Sequence, residues 1–397
     1  MPERLYILER GSKLGVFGDP IATAPVGNQT LAAVQREAAR RVGLEIERVR
    51  SAAGLPVPCF IMEEDTYVTP RFLAAFAGRA LALGANARAG LASTDVLERV
   101  AVGHPRADKV DGGFLFDLWY RATKDDHDDS HDDDLVSDDD GADGDNDLQA
   151  ESVYASILIE CDDLAYSRSR VPTALSEGGE IRLFESSCAI LQIHDPVHLY
   201  QANMHQLVAA IRDMLIDGPP AADAADAGMR RSTRTARGNA VGEGVSIHPS
   251  AWVEGSILGD GVTIGAQAVV RHAVIDRGAQ VFEQSMVQRS VLGQNALVHT
   301  QCRVLHSVLC AESFLSHSPF QFSFLGRGAA VFGTLPTDFR LDGRTVKTII
   351  EGEVRDSGLE FLGLLVGHEA KVAAGVVSGP GRVIPNGAVV HRGPPRA

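Results

Sequence analysis

The sequence predicts an α/β layered domain followed by a left-handed parallel β-helix built from hexapeptide repeats. Three observations predict it. Apolar runs alternate with helical patterns up to about residue 217. A stretch of small, polar and proline-bearing residues follows. Beyond Asn239, aliphatic residues recur at steps of six, six and five, so that Val241, Leu258, Ile275, Leu292 and Leu309 lie 17 residues apart. A chain of 397 residues also exceeds what one hydrophobic core usually serves, so two domains are expected.

In the first domain, residues 1–217, the strand candidates are Leu5–Leu8, Val57–Met62, Val153–Glu160 and parts of Ile181–Ile193. The helix candidates are Thr30–Val42, with Leu31, Val34 and Ala38 on one face, then Pro70–Leu83 and Pro196–Ile216. Pro70 and Pro196 both suit a first helical turn, where no N–H is needed. The formal net charge of −15 is local: residues 125–147 hold 13 aspartates and no lysine or arginine, and without them the chain stands near −2. Like charges with nothing apolar to bury repel one another and stay solvated, so residues 124–150 read as a disordered insertion. A calcium loop starting at Asp139 would put Ala150 where the bidentate glutamate belongs. With no basic stripe, nucleic acid is not an expected partner. Residues 218–239, GPPAADAADAGMRRSTRTARGN, read as the linker.

No apolar run approaches the roughly 18 residues of a membrane span, and MPERLYILERGSKLG lacks the apolar core of a secretory signal. A cytoplasmic protein that does not engage membranes is expected. The cysteines, Cys59, Cys161, Cys188, Cys302 and Cys310, show no metal spacing and read as reduced thiols.

The second domain, residues 240–397, repeats a short rung: LGDGVTI from Leu258, IDRGAQV from Ile275, LGQNALV from Leu292 and LCAESFL from Leu309. In such a coil the leading aliphatic residue of each hexad points inward and stacks on its counterparts, while Gly, Asn or Asp turns the corner. The pattern breaks over Leu335–Leu365 and resumes at Val366, Val372, Ile384 and Val390, which predicts a loop excursion over Thr334–Glu360 as a ligand or subunit contact. Flat β-helix walls are usually covered by packing three prisms together, so a homotrimer is expected.

Several segments carry a family resemblance. ILERGSKLG (Ile7–Gly15) occupies the place of an ILAAGxGTRLG loop, and APVGNQTL (Ala24–Leu31) resembles LPVGNKPL. MEEDTYVTPRFLAAF (Met62–Phe76) looks like a metal-binding strand end followed by a helix, and DPVHLYQAN (Asp195–Asn203) is similar to PWDLLxAN. TDFRLDGRTVK (Thr337–Lys347) and FLGLLVGHEAKVAAGVVSGPGRVIP (Phe361–Pro385) resemble stretches of an acetyltransferase half. Together they resemble the sugar-1-phosphate nucleotidyltransferases with a C-terminal hexapeptide acyltransferase domain, the bifunctional UDP-N-acetylglucosamine-making enzymes. The resemblance implies a nucleotidyltransferase-like (Rossmann-like) first domain and acyl transfer from acetyl-coenzyme A, or another acyl-coenzyme A, to a sugar phosphate or nucleotide sugar.

It also implies roles for residues. His317 matches the family's catalytic histidine, with one residue fewer after it and Phe320 in place of a tyrosine; an imidazole suits a general base because it titrates near operating pH. Arg340 and Lys347 are cations for phosphate or coenzyme A. Arg10, Lys13 and Asn28 would contact nucleotide, and Asp65 would hold Mg2+. The phosphate loop departs from the pattern: Glu9-Arg10 and Ser12 replace small residues and a glycine, Ile21 replaces a substrate lysine, and His198 an aspartate. A backbone cradle for oxyanions needs glycine-like approach, so these changes point to a degenerate loop. Three readings stand: acyl transfer by the β-helix, nucleotidyl transfer by the first domain, or an inactive trimeric nucleotide-sugar-binding scaffold. Zinc shared by His299, His306 and His317 is a further, weaker reading, because their spacing is wrong for the usual ligand set.

Overall fold

The computed structural model describes residues 4–94, 107–123, 154–160, 167–170, 173, 179–183, 185–217, 233–234 and 237–393. The acidic insertion and most of the predicted linker lie outside the described residues.

The first part opens with β1 (Arg4–Leu8), a small hairpin of β2 (Pro25–Val26) and β3 (Gln29–Thr30), and helix α1 (Leu31–Val42). Then come β4 (Glu45–Val49), β5 (Cys59–Glu63), β6 (Thr66–Val68), α2 (Pro70–Leu83) and β7 (Ala87–Ala92). After β8 (Asp108–Val110), β9 (Gly113–Arg121) and β10 (Ala155–Ile159), the pair β11 (Ser167–Arg170) and β12 (Glu180–Leu183) precedes β13 (Ile190–Gln192) and α3 (Pro196–Asp217). The main sheet runs β10-β7-β9-β5-β1-β4, with β8 beside β9. β1 is parallel to β4 and β5, whereas β9 is antiparallel to both its neighbours, so the sheet is mixed. Leu5, Ile7, Phe60 and Met62 pack with Phe72 and Phe76 of α2 in one core. A smaller cluster of Tyr6, Leu8, Ile61 and Trp119 forms separately.

Side-chain caps set the helix starts. Thr30 and Thr69 accept hydrogen bonds from the N–H groups of Ala33 and Phe72, and Asp195 accepts from those of Val197 and His198. Thr30 is therefore a cap and not the first helical residue. The strand expected from Val57 begins at Cys59, because Pro58 has no N–H to give a ladder. β9 was not expected, since Asp117 and Arg121 interrupt its apolar run; Asp117 is buried in an ion pair with Arg88.

The second part is a parallel β-helix of hexapeptide repeats. Its first face stacks Ala240–Val241, Ile257–Leu258, Val274–Ile275, Val291–Leu292, Val308–Leu309, Phe324–Leu325, Leu365–Val366 and Val383–Ile384, all parallel and in register. A second face runs from Ser246–Ile247 to Val389–Val390, and a third from Trp252–Glu254 to Pro319–Gln321. Leu258, Ile275, Leu292, Leu309, Val281, Val298, Val287 and Val304 fill the interior. Two corner columns differ from expectation. Gln267, Gln284 and Gln301 line one, and His272, Arg289, His306 and Phe322 another, all with positive φ. The excursion is also shorter than the broken pattern suggested. Leu335–Pro336 still pairs with Val377–Ser378, and Leu365 lies on the first face. Leu335 points outward, 62% exposed, so no aliphatic residue marks the interior there. The excursion carries a hairpin, Lys347–Ile350 against Glu353–Asp356.

The two parts share one core. On the first face the residue before each interior aliphatic is itself apolar: Ile257, Val291, Val308, Phe324 and Leu365 are buried with Leu14, Phe17, Ile21, Leu199 and Leu207 of the α/β part. The rings of Phe17 and Phe324 stack at 5.7 Å.

Candidate functional site

In the main sheet β1 has β4 on one side and β5 on the other, so the carboxyl ends of β1 and β5 meet where strand order reverses, the usual ligand crevice of an open α/β sheet. Arg10, Lys13 and Asp65 lie on the segments leaving these strands. Here the chain supplies its own anions. Arg10 donates through Nε and Nη2 to both carboxylate oxygens of Glu63, at 3.2 and 3.0 Å. The Ser12 N–H donates to Glu64 Oε1 at 2.6 Å. Asp65 is 3% exposed and lies 3.2 Å from His194 Nδ1. Lys13 is exposed and pairs through its backbone with Pro20. Asn28 belongs elsewhere: it occupies the left-handed turn between β2 and β3, and its Nδ2 donates to the Leu292 carbonyl of the β-helix at 3.0 Å.

Among the described residues, no three His, Cys, Asp or Glu side chains converge as a metal site. Magnesium favours octahedral oxygen ligands and retained waters. Asp65 is sealed from solvent against an imidazole, and its two acidic neighbours are engaged by Arg10 and Ser12. This donor set does not fit Mg2+.

Beyond the crevice, the loop after β1 docks on the β-helix. Asp19 pairs with Arg327 and His368, both at 2.5 Å, and Asn386 donates to the Phe17 carbonyl at 2.6 Å. Burial alone would push the Asp19 carboxyl up. Hydrogen bonds and charge from His368 and Arg327 outweigh it and hold Asp19 below the usual carboxylate value.

On the β-helix, His317 is exposed at a corner between the second and third faces, with φ of 50°. This corner is a residue short: the step from Leu315 to Phe320 is five, where Val298 to Val304 is six. The His317 ring meets that of His299 edge-on at 5.2 Å, and His299 in turn meets Phe282 at 5.4 Å. Arg340 is paired with Asp342 within its own turn, and Lys347 is exposed on the hairpin. Among the described residues no hydrogen bond or ion pair joins either to His317. The three histidines do not gather either, since His306 sits in a different corner column.

His306 has partners that sequence spacing hides. Its Nδ1 lies 3.0 Å from Glu185 Oε1, a carboxylate 5% exposed and 121 residues away in the chain. A carboxylate only accepts, so Nδ1 carries a proton, and in the neutral ring the lone pair falls on Nε2. The imidazole stacks on Phe322 at 4.9 Å and 13°, Phe322 packs on Phe361 at 5.1 Å, and Phe361 on Phe339 at 6.1 Å. Tyr200 of α3 donates its hydroxyl to the His306 carbonyl at 2.9 Å. Burial, then the Glu185 and Asp338 carboxylates, push the Tyr200 hydroxyl well above its ordinary value. Burial likewise raises Asp338, at the start of the excursion. Three parts of the molecule therefore meet here: the α/β part, a β-helix corner and the base of the excursion.

No helix among the described residues is long and apolar enough to cross a membrane. Comparison with curated proteins finds no match. Residues 227–287, which include the first coils of the β-helix, match the protein-family model described as GlmU-like, C-terminal hexapeptide.

Proposed function

We propose that this chain is a transferase that moves an acyl group from an acyl-coenzyme A, acetyl-coenzyme A in the first instance, to an amino or hydroxyl group of a sugar phosphate or nucleotide sugar. The observation that carries this reading is the GlmU-like match at residues 227–287, lying on a three-faced parallel β-helix. In the reading the helix winds left-handed, three chains pack as a homotrimer in the cytoplasm, and a histidine on a β-helix corner, His317 by the family resemblance, takes the acceptor's proton. Arg340 and Lys347 lie toward phosphate or coenzyme A. The acceptor attacks the thioester directly: its N–H or O–H bond breaks, the new acyl bond forms, and the thiolate leaves and is reprotonated.

The α/β half serves, in this reading, as a docked partner domain that does not turn over nucleotide. Support comes from Glu63 and Glu64, which hold the Arg10 guanidinium and the Ser12 N–H that a triphosphate would need. Nucleotide contacts by Arg10, Lys13 and Asn28, with Asp65 on magnesium, would require those pairs to open.

Free thiol followed with acetyl-coenzyme A and a panel of amino-sugar phosphates tests the assignment. With His317 as that base, turnover should fall about 10²-fold in His317→Ala; unchanged turnover in His317→Ala moves the base to another histidine without touching the acyl-transfer assignment. A chain that releases no thiol with any acceptor refutes acyl transfer. Pyrophosphate release from NTP and a sugar 1-phosphate, abolished in Asp65→Asn, would instead return the activity to the α/β half.

A further inference from the structure

We propose that Glu185 and His306 form a proton-transfer dyad on the seam between the two halves, with His306 Nε2 facing the amino or hydroxyl group of a phosphate-bearing acceptor and Arg289 as its anion contact. The inference rests on the acyl-transfer reading for its thioester co-substrate.

The geometry is that of an oriented base. Glu185 fixes one tautomer from behind, and stacking on Phe322 fixes the ring plane. The side chain of His306 keeps 13% of its surface exposed, and Nε2, which has no hydrogen-bond partner among the described residues, is not among the sealed polar atoms. Arg289, one coil earlier in the same column, lies 3.6 Å from the other Glu185 oxygen with 32% of its side chain exposed. A guanidinium beside an imidazole lone pair suits an acceptor that carries phosphate near its nucleophile. Phe322, Phe361 and Phe339 make the surroundings on that side of the imidazole apolar. His317, by contrast, has an imidazole neighbour and no carboxylate behind it among the described residues.

The step balances without any further reactant. In place of His317, His306 Nε2 takes the proton as the acceptor oxygen or nitrogen attacks the thioester carbonyl, the carbon–sulfur bond breaks, and the imidazolium returns the proton to the departing thiolate. Glu185 is a positioning residue, since it acts only through His306.

Two measurements on the full-length chain test the proposal. Diethyl pyrocarbonate modifies reachable, unprotonated imidazole nitrogens, and peptide mapping should find His306 among the modified histidines. Inorganic phosphate should slow that modification in the wild type and not in Arg289→Ala. An unmodified His306, or modification indifferent to phosphate, overturns the site whether or not the chain transfers acyl groups. If thiol release is observed, His306→Ala and Glu185→Gln should each lower kcat about 10²-fold with KM within about three-fold. Added imidazole should restore part of the His306→Ala rate, which it would not do for a structural contact. A His306→Ala protein that folds, by circular dichroism, and keeps its wild-type kcat also overturns the dyad. Absence of thiol release in the wild type counts against the acyl-transfer reading alone, and phosphate protection then decides the site.

Discussion

Asp19 lies between Arg327 and His368 of the β-helix, and its carboxyl is held below the ordinary value of 3.8. A group whose folded value is depressed contributes stability that is present above the unfolded value and lost as pH falls through the folded one. The seam should therefore weaken on acidification below about pH 4, with a slope of at most about 1.4 kcal/mol per pH unit for this one proton. Urea midpoints of the wild type and Asp19→Asn, taken across this window, should converge as pH falls; a constant gap would show that Asp19 titrates as in the unfolded chain. No sequence rule pairs Asp19 with residues some 300 positions away. Separations of 121 and 264 residues likewise hid Glu185 from His306 and Leu292 from Asn28: the residue types were visible, but a partner across a docked surface follows only from the packing of the halves. Arg10 was recognisable as a cation beside the crevice, yet its neutralisation by Glu63 depends on β1 and β5 being adjacent.

The β-helix elements were legible because their signal is local and repeated. A step of 17 places each interior aliphatic residue above the last, and a single chain shows this without any partner. The sheet of the α/β part was less legible, since β4 is a half-exposed edge strand with alternating charges, and β9 hides a buried ion pair in an apolar run. The excursion was recognised as a break, but its limits depend on contacts across the coil. Gly363, where the chain returns from it, illustrates this: an added Cβ would lie 2.2 Å from Ser323 Oγ and 2.4 Å from the Gln321 carbonyl. The latter is backbone and cannot swing aside. Gly363→Ala should cost on the order of 1–3 kcal/mol, as overpacking does. It should also disturb the base of the excursion, where Phe361 meets Phe322. Thermal unfolding measures the first effect. A melting temperature unchanged by the substitution would mean that the excursion can lift away from the coil at no cost.

At the scale of the molecule, the repeat also carries the mark of the docked wall. The first-face pairs Ile257–Leu258, Val291–Leu292, Val308–Leu309 and Phe324–Leu325 are apolar at both positions, whereas the second face mixes the alternating pairs Thr263–Ile264 and Gln280–Val281 with the apolar Leu297–Val298 and Phe314–Leu315. Strands apolar on both sides are strands covered on both sides, and on the first face the cover is the α/β part. Because Phe17 and Phe324 belong to one core, the two halves should unfold together, although multidomain chains commonly do not. The protein carries its own reporters: Trp119 lies in the α/β sheet, and Trp252 stands on the third face beneath Arg237 at 3.9 Å. In Trp252→Phe and Trp119→Phe proteins the remaining tryptophan should report transitions that both move when Phe17→Ala is added. Loss of a buried aromatic ring costs about 3–5 kcal/mol, and a shared core spreads that loss over both halves. If Phe17→Ala moves the Trp119 transition and leaves that of Trp252 in place, the halves unfold as separate units held in contact.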